Sequence, residues 1–256
     1  MKSVAIITGA SSGLGREFAV QIDKKFKFDE IWLIARRKDR LIETASYIDN
    51  SNVRILQGDL NEFKTYKKLK SALNSGHFTV GMLVNSAGFG KIGRFDEISP
   101  RLSSDMIKTN ILSLTKMCAL CLPYMQKKSK IINIASVAAF LPQPNSAVYA
   151  ASKSYVLSFS RALHQELKTR GITVTAVCPN PMETEFFIHS GGGNKVSKIK
   201  SIGVEKVQDV VTLALKKSLR KKDISIQHPA AKLIRLTAKT LPTHFIFAVE
   251  KLMGIF

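Results

Sequence analysis

An alternation constrains this chain more than anything else in it. Short apolar runs rich in β-formers stand at residues 4–8, 31–35, 53–56, 80–84, 131–135 and 173–177, with a seventh at 224–227. Between them, residues 15–26, 40–48, 62–73, 102–126, 148–170 and a segment near 205–220 carry apolar residues three and four apart, the spacing of a helix with one buried face. Strands that are apolar almost throughout need cover on both faces. The alternation therefore predicts an α/β fold: a doubly wound, mostly parallel sheet with helices on either side. At 256 residues the chain is long enough for one large domain and short for two, so a single domain is expected over residues 1–256.

Composition narrows the class. Apolar residues make up 45% and charged residues 23%, the balance of a globular protein and not of a disordered one. The apolar run at the N-terminus ends at Thr8-Gly9, which is short for a signal peptide, and no continuous apolar run reaches the length of a membrane span. Cys118, Cys121 and Cys178 are too few for a disulfide framework; they read as buried thiols and suit a reducing cytoplasm, and no metal site is expected. The formal charge is +20, concentrated late: residues 1–60 hold 10 basic and 8 acidic residues, residues 191–256 hold 13 and 4. Such a charge attracts polyanions. No nucleic-acid motif accompanies it, so a solvated basic face is expected and a nucleic-acid partner is not.

The first junction between strand and helix reads Thr8-Gly-Ala-Ser-Ser-Gly-Leu-Gly15. Glycine permits a tight turn and close backbone approach, and the free amides and positive dipole of a helix start favour a pyrophosphate. Gly9, Ser11, Ser12, Gly13, Leu14 and Gly15 are thus candidate cofactor-binding residues, although G-x-x-x-G-x-G departs from the commoner dinucleotide spacing. Proteins that prefer NAD place an acid at the end of the second strand to hold the adenosine ribose. Here that strand ends in Ala35 and is followed by Arg36-Arg37, two guanidinium groups suited to a 2′-phosphate. The cofactor read from these residues is NADP. Asp59-Leu60, after the third strand, can meet the adenine amino group, or Asp59 can cap the next helix. Asn85-Ser-Ala-Gly88 forms a polar, close-packed turn beside the cofactor, giving Asn85, Ala87 and Gly88 as further candidates.

A second cluster lies downstream. Ser136 follows the fifth strand, and Tyr149-x-x-x-Lys153 puts two side chains on one helical face a turn apart. A nearby lysine cation pulls a tyrosine's pKa down from about 10 toward the working range. Ser136 can donate to a carbonyl and to the alkoxide formed from it. Asn110 is a further polar candidate in an apolar helix. Each piece alone is weak, but all fall at the carboxyl ends of strands, where open α/β sheets bind ligands.

With these motifs the chain resembles the short-chain dehydrogenase/reductase family. The matching residues are TGASSGLG, Asp59, Asn85-Ser-Ala-Gly88, Asn110, Ser136, Tyr149-x-x-x-Lys153 and Pro179-Asn-Pro-Met-Glu-Thr184. The resemblance implies a seven-stranded Rossmann-like domain using a nicotinamide cofactor. It implies Tyr149 as general acid/base, Ser136 as the group orienting the carbonyl, Lys153 on the nicotinamide ribose and Asn110 as anchor of a proton-relay water. Pro179 and Thr184 would lie beside the nicotinamide, Thr184 at its carboxamide. Two departures stand out: Ser86 replaces the family's usual Asn, and Asn180 replaces its usual Gly.

The substrate is expected to meet a loop over residues 182–204. Phe89, Phe140, Leu141, Phe186 and Phe187 either form an apolar lid over a lipophilic carbonyl or alcohol or simply pack the loop down. Residues 229–256 form a basic amphipathic extension, with Lys232, Arg235 and Lys239 on one helical face. Such a segment packs on the cleft, joins a homo-dimer or homo-tetramer, or lies on a membrane surface; packing or oligomerisation is the favoured reading. The expected function is NADP(H)-dependent hydride transfer to or from a small lipophilic carbonyl or secondary alcohol. The rivals are a non-catalytic NADP sensor or scaffold, and a peripheral membrane protein acting through its basic tail.

Overall fold

The computed structural model describes residues 1–182, 184, 185, 203–242, 244, 245, 247 and 248. Its strands are β1 (Ser3–Thr8), β2 (Glu30–Ala35), β3 (Asn52–Gln57), β4 (Thr79–Asn85), β5 (Lys130–Ile134), β6 (Thr173–Val177) and β7 (Ile224–Ser225). They form one sheet in the order β3-β2-β1-β4-β5-β6-β7, every neighbouring pair parallel. The helices are α1 (Gly13–Lys25), α2 (Lys38–Ala45), α3 (Phe63–Ser75), α4 (Pro100–Ile107), α5 (Ser113–Cys121), α6 (Ala147–Glu166), α7 (Val207–Leu219) and α8 (Pro229–Thr240). The expected seven-stranded Rossmann-like sheet is what forms.

Alternate strand residues point to opposite faces, which is why the strands read as continuously apolar. On one face, Val4, Ile6, Ile34, Leu83, Ile131 and Val174 pack with Leu69 and Leu73 of α3, Met117 and Cys121 of α5 and Val156 of α6. On the other, Ala5, Ile7, Leu33, Met82 and Ile132 pack with Phe18 and Ile22 of α1, Leu41 of α2 and Val211 and Leu215 of α7. All three cysteines are buried in the core as free thiols, as the sequence predicts. Burial pushes the Cys118 and Cys178 thiols up to about 12, which leaves them inert.

The strand order reverses at β1, with β2 on one side and β4 on the other. The carboxyl ends of strands at such a point enclose a crevice, and most of the expected ligand motifs sit there.

One expectation needs refinement. The helical segment expected over 102–126 starts at Pro100 and stays helical, but a π-helical turn at Lys108–Leu112 lies between α4 and α5, and a 3₁₀ turn follows at Leu122–Tyr124. Apolar spacing over one turn does not separate an α turn from a π turn, and π turns concentrate at functional sites. The basic extension packs on the fold in part, within the favoured reading. Ala231 of α8 is fully buried, while Leu233 and Leu236 on the same helix and Leu241 and Phe245 beyond it are exposed. Most of the expected loop, including Phe186, Phe187 and the glycine run 191–193, lies outside the described residues.

Candidate active site

The crevice encloses about 780 Å³ and is bounded at one end by the glycine loop and at the other by α6. Gly9 has φ +66°, and a Cβ placed on it would come 2.8 Å from the backbone nitrogen of Ala87. The turn after β1 and the turn after β4 therefore touch backbone to backbone, and only glycine fits between them. Gly15 packs equally closely on Gly9, inside the loop and off the crevice wall. The first turn of α1 has no acidic residue, and its N-cap Ser12 makes no side-chain cap bond. Its leading amides are thus left for an anion, the arrangement that suits a pyrophosphate.

At the far lip, Ser11, Ser12, Arg36 and Arg37 line the crevice beside Asp59 and Leu60. Arg37 Nη2 donates to Ser11 Oγ at 3.3 Å, to Ser12 Oγ at 3.2 Å and to Glu185 Oε2 at 2.7 Å. Asp59 does not cap α3, whose N-cap is Glu62. Its Oδ1 accepts from the Asn61 amide at 2.8 Å in a local turn, and the residue stays on the crevice wall.

The opposite end is buried. Ser136 caps a 3₁₀ turn at Val137–Ala139, its Oγ accepting from the Ala138 amide at 3.2 Å. Ser136 and the Tyr149 phenol are hydrogen-bonded, and both line the crevice. Lys153 is 5% exposed; its Nζ donates to the Ile134 carbonyl at 2.9 Å and lies 5.7 Å from the centre of the Tyr149 ring. Burial pushes the Tyr149 phenol up to about 12, against the Ser136 bond, and pushes Lys153 down to about 8. The expected lowering of Tyr149 by Lys153 is therefore absent here. Desolvation sets the direction of the phenol's shift, while the Lys153 ammonium is bonded to the Ile134 carbonyl.

Gly88, Ala87, Phe89, Pro179 and Thr184 line the crevice as expected; Asn85, Asn110 and Phe140 do not. Asn85 turns into the core, where its Nδ2 donates to Asn133 Oδ1 at 2.9 Å and to Cys118 Sγ at 3.3 Å. Asn110, 1% exposed in the π turn, accepts at Oδ1 from the Phe89 amide (3.0 Å) and donates at Nδ2 to the Phe89 carbonyl (2.9 Å) and Ser152 Oγ (3.0 Å). It fixes the backbone beside Gly88 to α6. Phe140 packs on the core; its neighbour Leu141 faces the crevice.

Ile234 of α8 reaches the crevice wall, so the C-terminal extension packs in part on the cleft, one of the placements that the sequence offers. Sequence reasoning missed one residue. Glu205 is 5% exposed; it accepts from the Asn180 amide at 2.9 Å and the His228 amide at 2.8 Å, and burial pushes its carboxyl up. It ties the start of the segment after β6 to the start of α8.

The family profile described as short chain dehydrogenase matches residues 3–194. The chain belongs to the short-chain dehydrogenase/reductase family. A curated relative, the very-long-chain 3-oxoacyl-CoA reductase of Rattus norvegicus, is 33% identical over 79% of the chain, which spans 63% of that relative's length. A short-chain dehydrogenase from Sphingobium yanoikuyae, solved in complex with NADPH, is 28% identical with a TM-score of 0.77, covering 100% of this chain and 96% of that one. A bulky-bulky ketone specific alcohol dehydrogenase from Comamonas testosteroni is 25% identical with a TM-score of 0.74, covering 100% and 95%. The family uses nicotinamide cofactors, and this short-chain dehydrogenase/reductase carries the glycine cradle that such a cofactor requires.

Proposed function

We propose that this enzyme is an NADP(H)-dependent reductase of lipophilic ketones, working reversibly as a secondary-alcohol dehydrogenase. The observation that carries this reading is the cluster of buried Ser136 and Lys153 with half-buried Tyr149 on the same crevice as Arg36 and Arg37. Gly9, Gly13, the α1 amides and the arginines would hold the dinucleotide, which when bound supplies or accepts the hydride.

The chain's own residues do the rest. The Ser136 hydroxyl donates to the substrate carbonyl oxygen and stays on it as negative charge develops. The Tyr149 phenol, kept protonated by burial, gives its proton to the resulting alkoxide, a stronger base than phenolate. In the reverse direction the same oxygen takes the alcohol proton. Lys153, held on the Ile134 carbonyl 5.7 Å from the centre of the Tyr149 ring, is a cation at neutral pH and would hold the nicotinamide ribose.

Phe89, Val137, Leu141, Met182 and Ile234 make the wall near Ser136 largely apolar, which favours a carbonyl within a hydrocarbon frame. The NADPH-bound neighbour and the ketone- and oxoacyl-reducing relatives agree with that class. Leu112 and Tyr155, exposed beside α5 and on α6, offer a face for a homo-dimer or homo-tetramer. The test is a panel of ketones, 3-oxoacyl thioesters and secondary alcohols, each assayed with both nicotinamide cofactors. Saturable turnover of an apolar ketone, faster with NADPH than NADH, is expected; equal use of NADH would remove Arg36 and Arg37 from the account.

A further inference from the structure

The Arg37–Glu185 ion pair joins two distant parts of the sheet. Arg37 follows β2 and Glu185 follows β6, four places away in the strand order. At about 4.8 Å per strand, the segment leaving β6 must cross the carboxyl ends of β5, β4 and β1 to bring them together. It thus runs over the mouth of the cofactor crevice, and both residues line that crevice.

What Glu185 meets at the end of that path is a ready-made anion site. Its carboxylate takes the guanidinium of Arg37 at 2.7 Å, is hydrogen-bonded by Ser12 and feels the charge of Arg40. Together they hold its carboxyl below the ordinary range. Arg37 simultaneously bonds the Ser11 and Ser12 hydroxyls. Two hydroxyls and convergent guanidinium groups are the donor set that recognises a phosphate.

We propose that Glu185 is a specificity-determining residue: an internal counter-anion that holds Arg37 until the ribose 2′-phosphate of the cofactor displaces it. This rests on the NADP reading above. A phosphate and a carboxylate cannot share one guanidinium face without like-charge repulsion, so the cofactor's affinity carries the cost of breaking the pair. NAD, which has no 2′-phosphate, leaves Arg37 with Glu185 and carries no such cost. The residue therefore narrows the discrimination that Arg37 confers.

The experiment is isothermal titration of the full chain with NADP+ and NAD+, for wild type and Glu185→Gln. Wild type should bind NADP+ the more tightly. The variant should bind NADP+ about threefold to tenfold more tightly than wild type, with NAD+ changed less than twofold, and the gain should shrink as added salt screens the exposed pair. If wild type binds both cofactors equally, the NADP reading fails. If wild type prefers NADP+ but Glu185→Gln leaves NADP+ affinity unchanged or weaker, that reading stands and the role given to Glu185 is wrong. An equal gain for both cofactors also overturns it, since the 2′-phosphate would then not be what Glu185 opposes.

Discussion

The two ends of the crevice are made in different ways. The adenosine end relies on backbone shape and on charges at the surface: glycines that let two turns touch, and an arginine, Arg37, paired with the exposed Glu185. The reacting end relies on buried polar groups, Ser136, Lys153 and Asn110, none more than 8% exposed and each hydrogen-bonded to a neighbouring element. Exposed charges attract over distance but are screened and hold geometry loosely. Buried hydrogen bonds fix atoms in place and are costly to break. The contrast matches the tasks: one end must capture a polyanion from solution, the other must hold a proton donor against a reacting atom.

Substitutions should separate the two designs. Gly9→Ala should be the most damaging at the adenosine end. A side chain at φ +66° that also meets the Ala87 backbone should cost about 3 kcal/mol of stability and abolish NADPH binding, measured by denaturant melts and titration. Asn110→Ala should cost about 2 kcal/mol, because the Phe89 amide and carbonyl and Ser152 all lose a buried partner. A loss below about 0.5 kcal/mol would mean that the π turn does not depend on that side chain.

Lys153 gives a pH signature that no surface lysine shares. Its folded pKa of about 8 lies below the ordinary lysine value of about 10.4, so between the two the unfolded chain binds more protons and stability rises with pH. Below pH 8 both states are protonated and its contribution is flat. Wild type should gain about 2 kcal/mol relative to Lys153→Met between pH 8 and 10, measured by urea unfolding at each pH. Parallel curves would place the ammonium in water. The smallest effect belongs to the exposed end: Arg37→Ala should weaken NADP+ roughly tenfold at low salt and leave NAD+ unchanged, with the difference fading as salt rises.

How far the sequence could be read follows the same division. TGASSGLG, Arg36-Arg37 and Tyr149-x-x-x-Lys153 are local patterns whose spacing carries their geometry, and all fall on the crevice. Asn85 and Asn110 share the polarity of site residues but point into the fold, because a sequence does not separate a polar group facing a ligand from one satisfied by the core. The π turn was hidden because the backbone stays helical on both sides of it, and apolar spacing over one turn does not separate an α turn from a π turn. Glu205 and the Arg37–Glu185 pair depend on contacts across 23 to 148 residues of chain, which spacing does not encode. The Tyr149 phenol pushed up by burial was likewise beyond reach, since desolvation is a property of the packed site.

The paired measurement of turnover and cofactor affinity in Tyr149→Phe tests the division of labour most directly. Removing one phenol oxygen from the buried end should lower kcat for ketone reduction roughly 10²- to 10⁴-fold. NADPH affinity, set largely at the other end, should change less than about threefold. Full turnover in the variant would show that Tyr149 is not the proton donor, and the reacting end would have to be assigned anew.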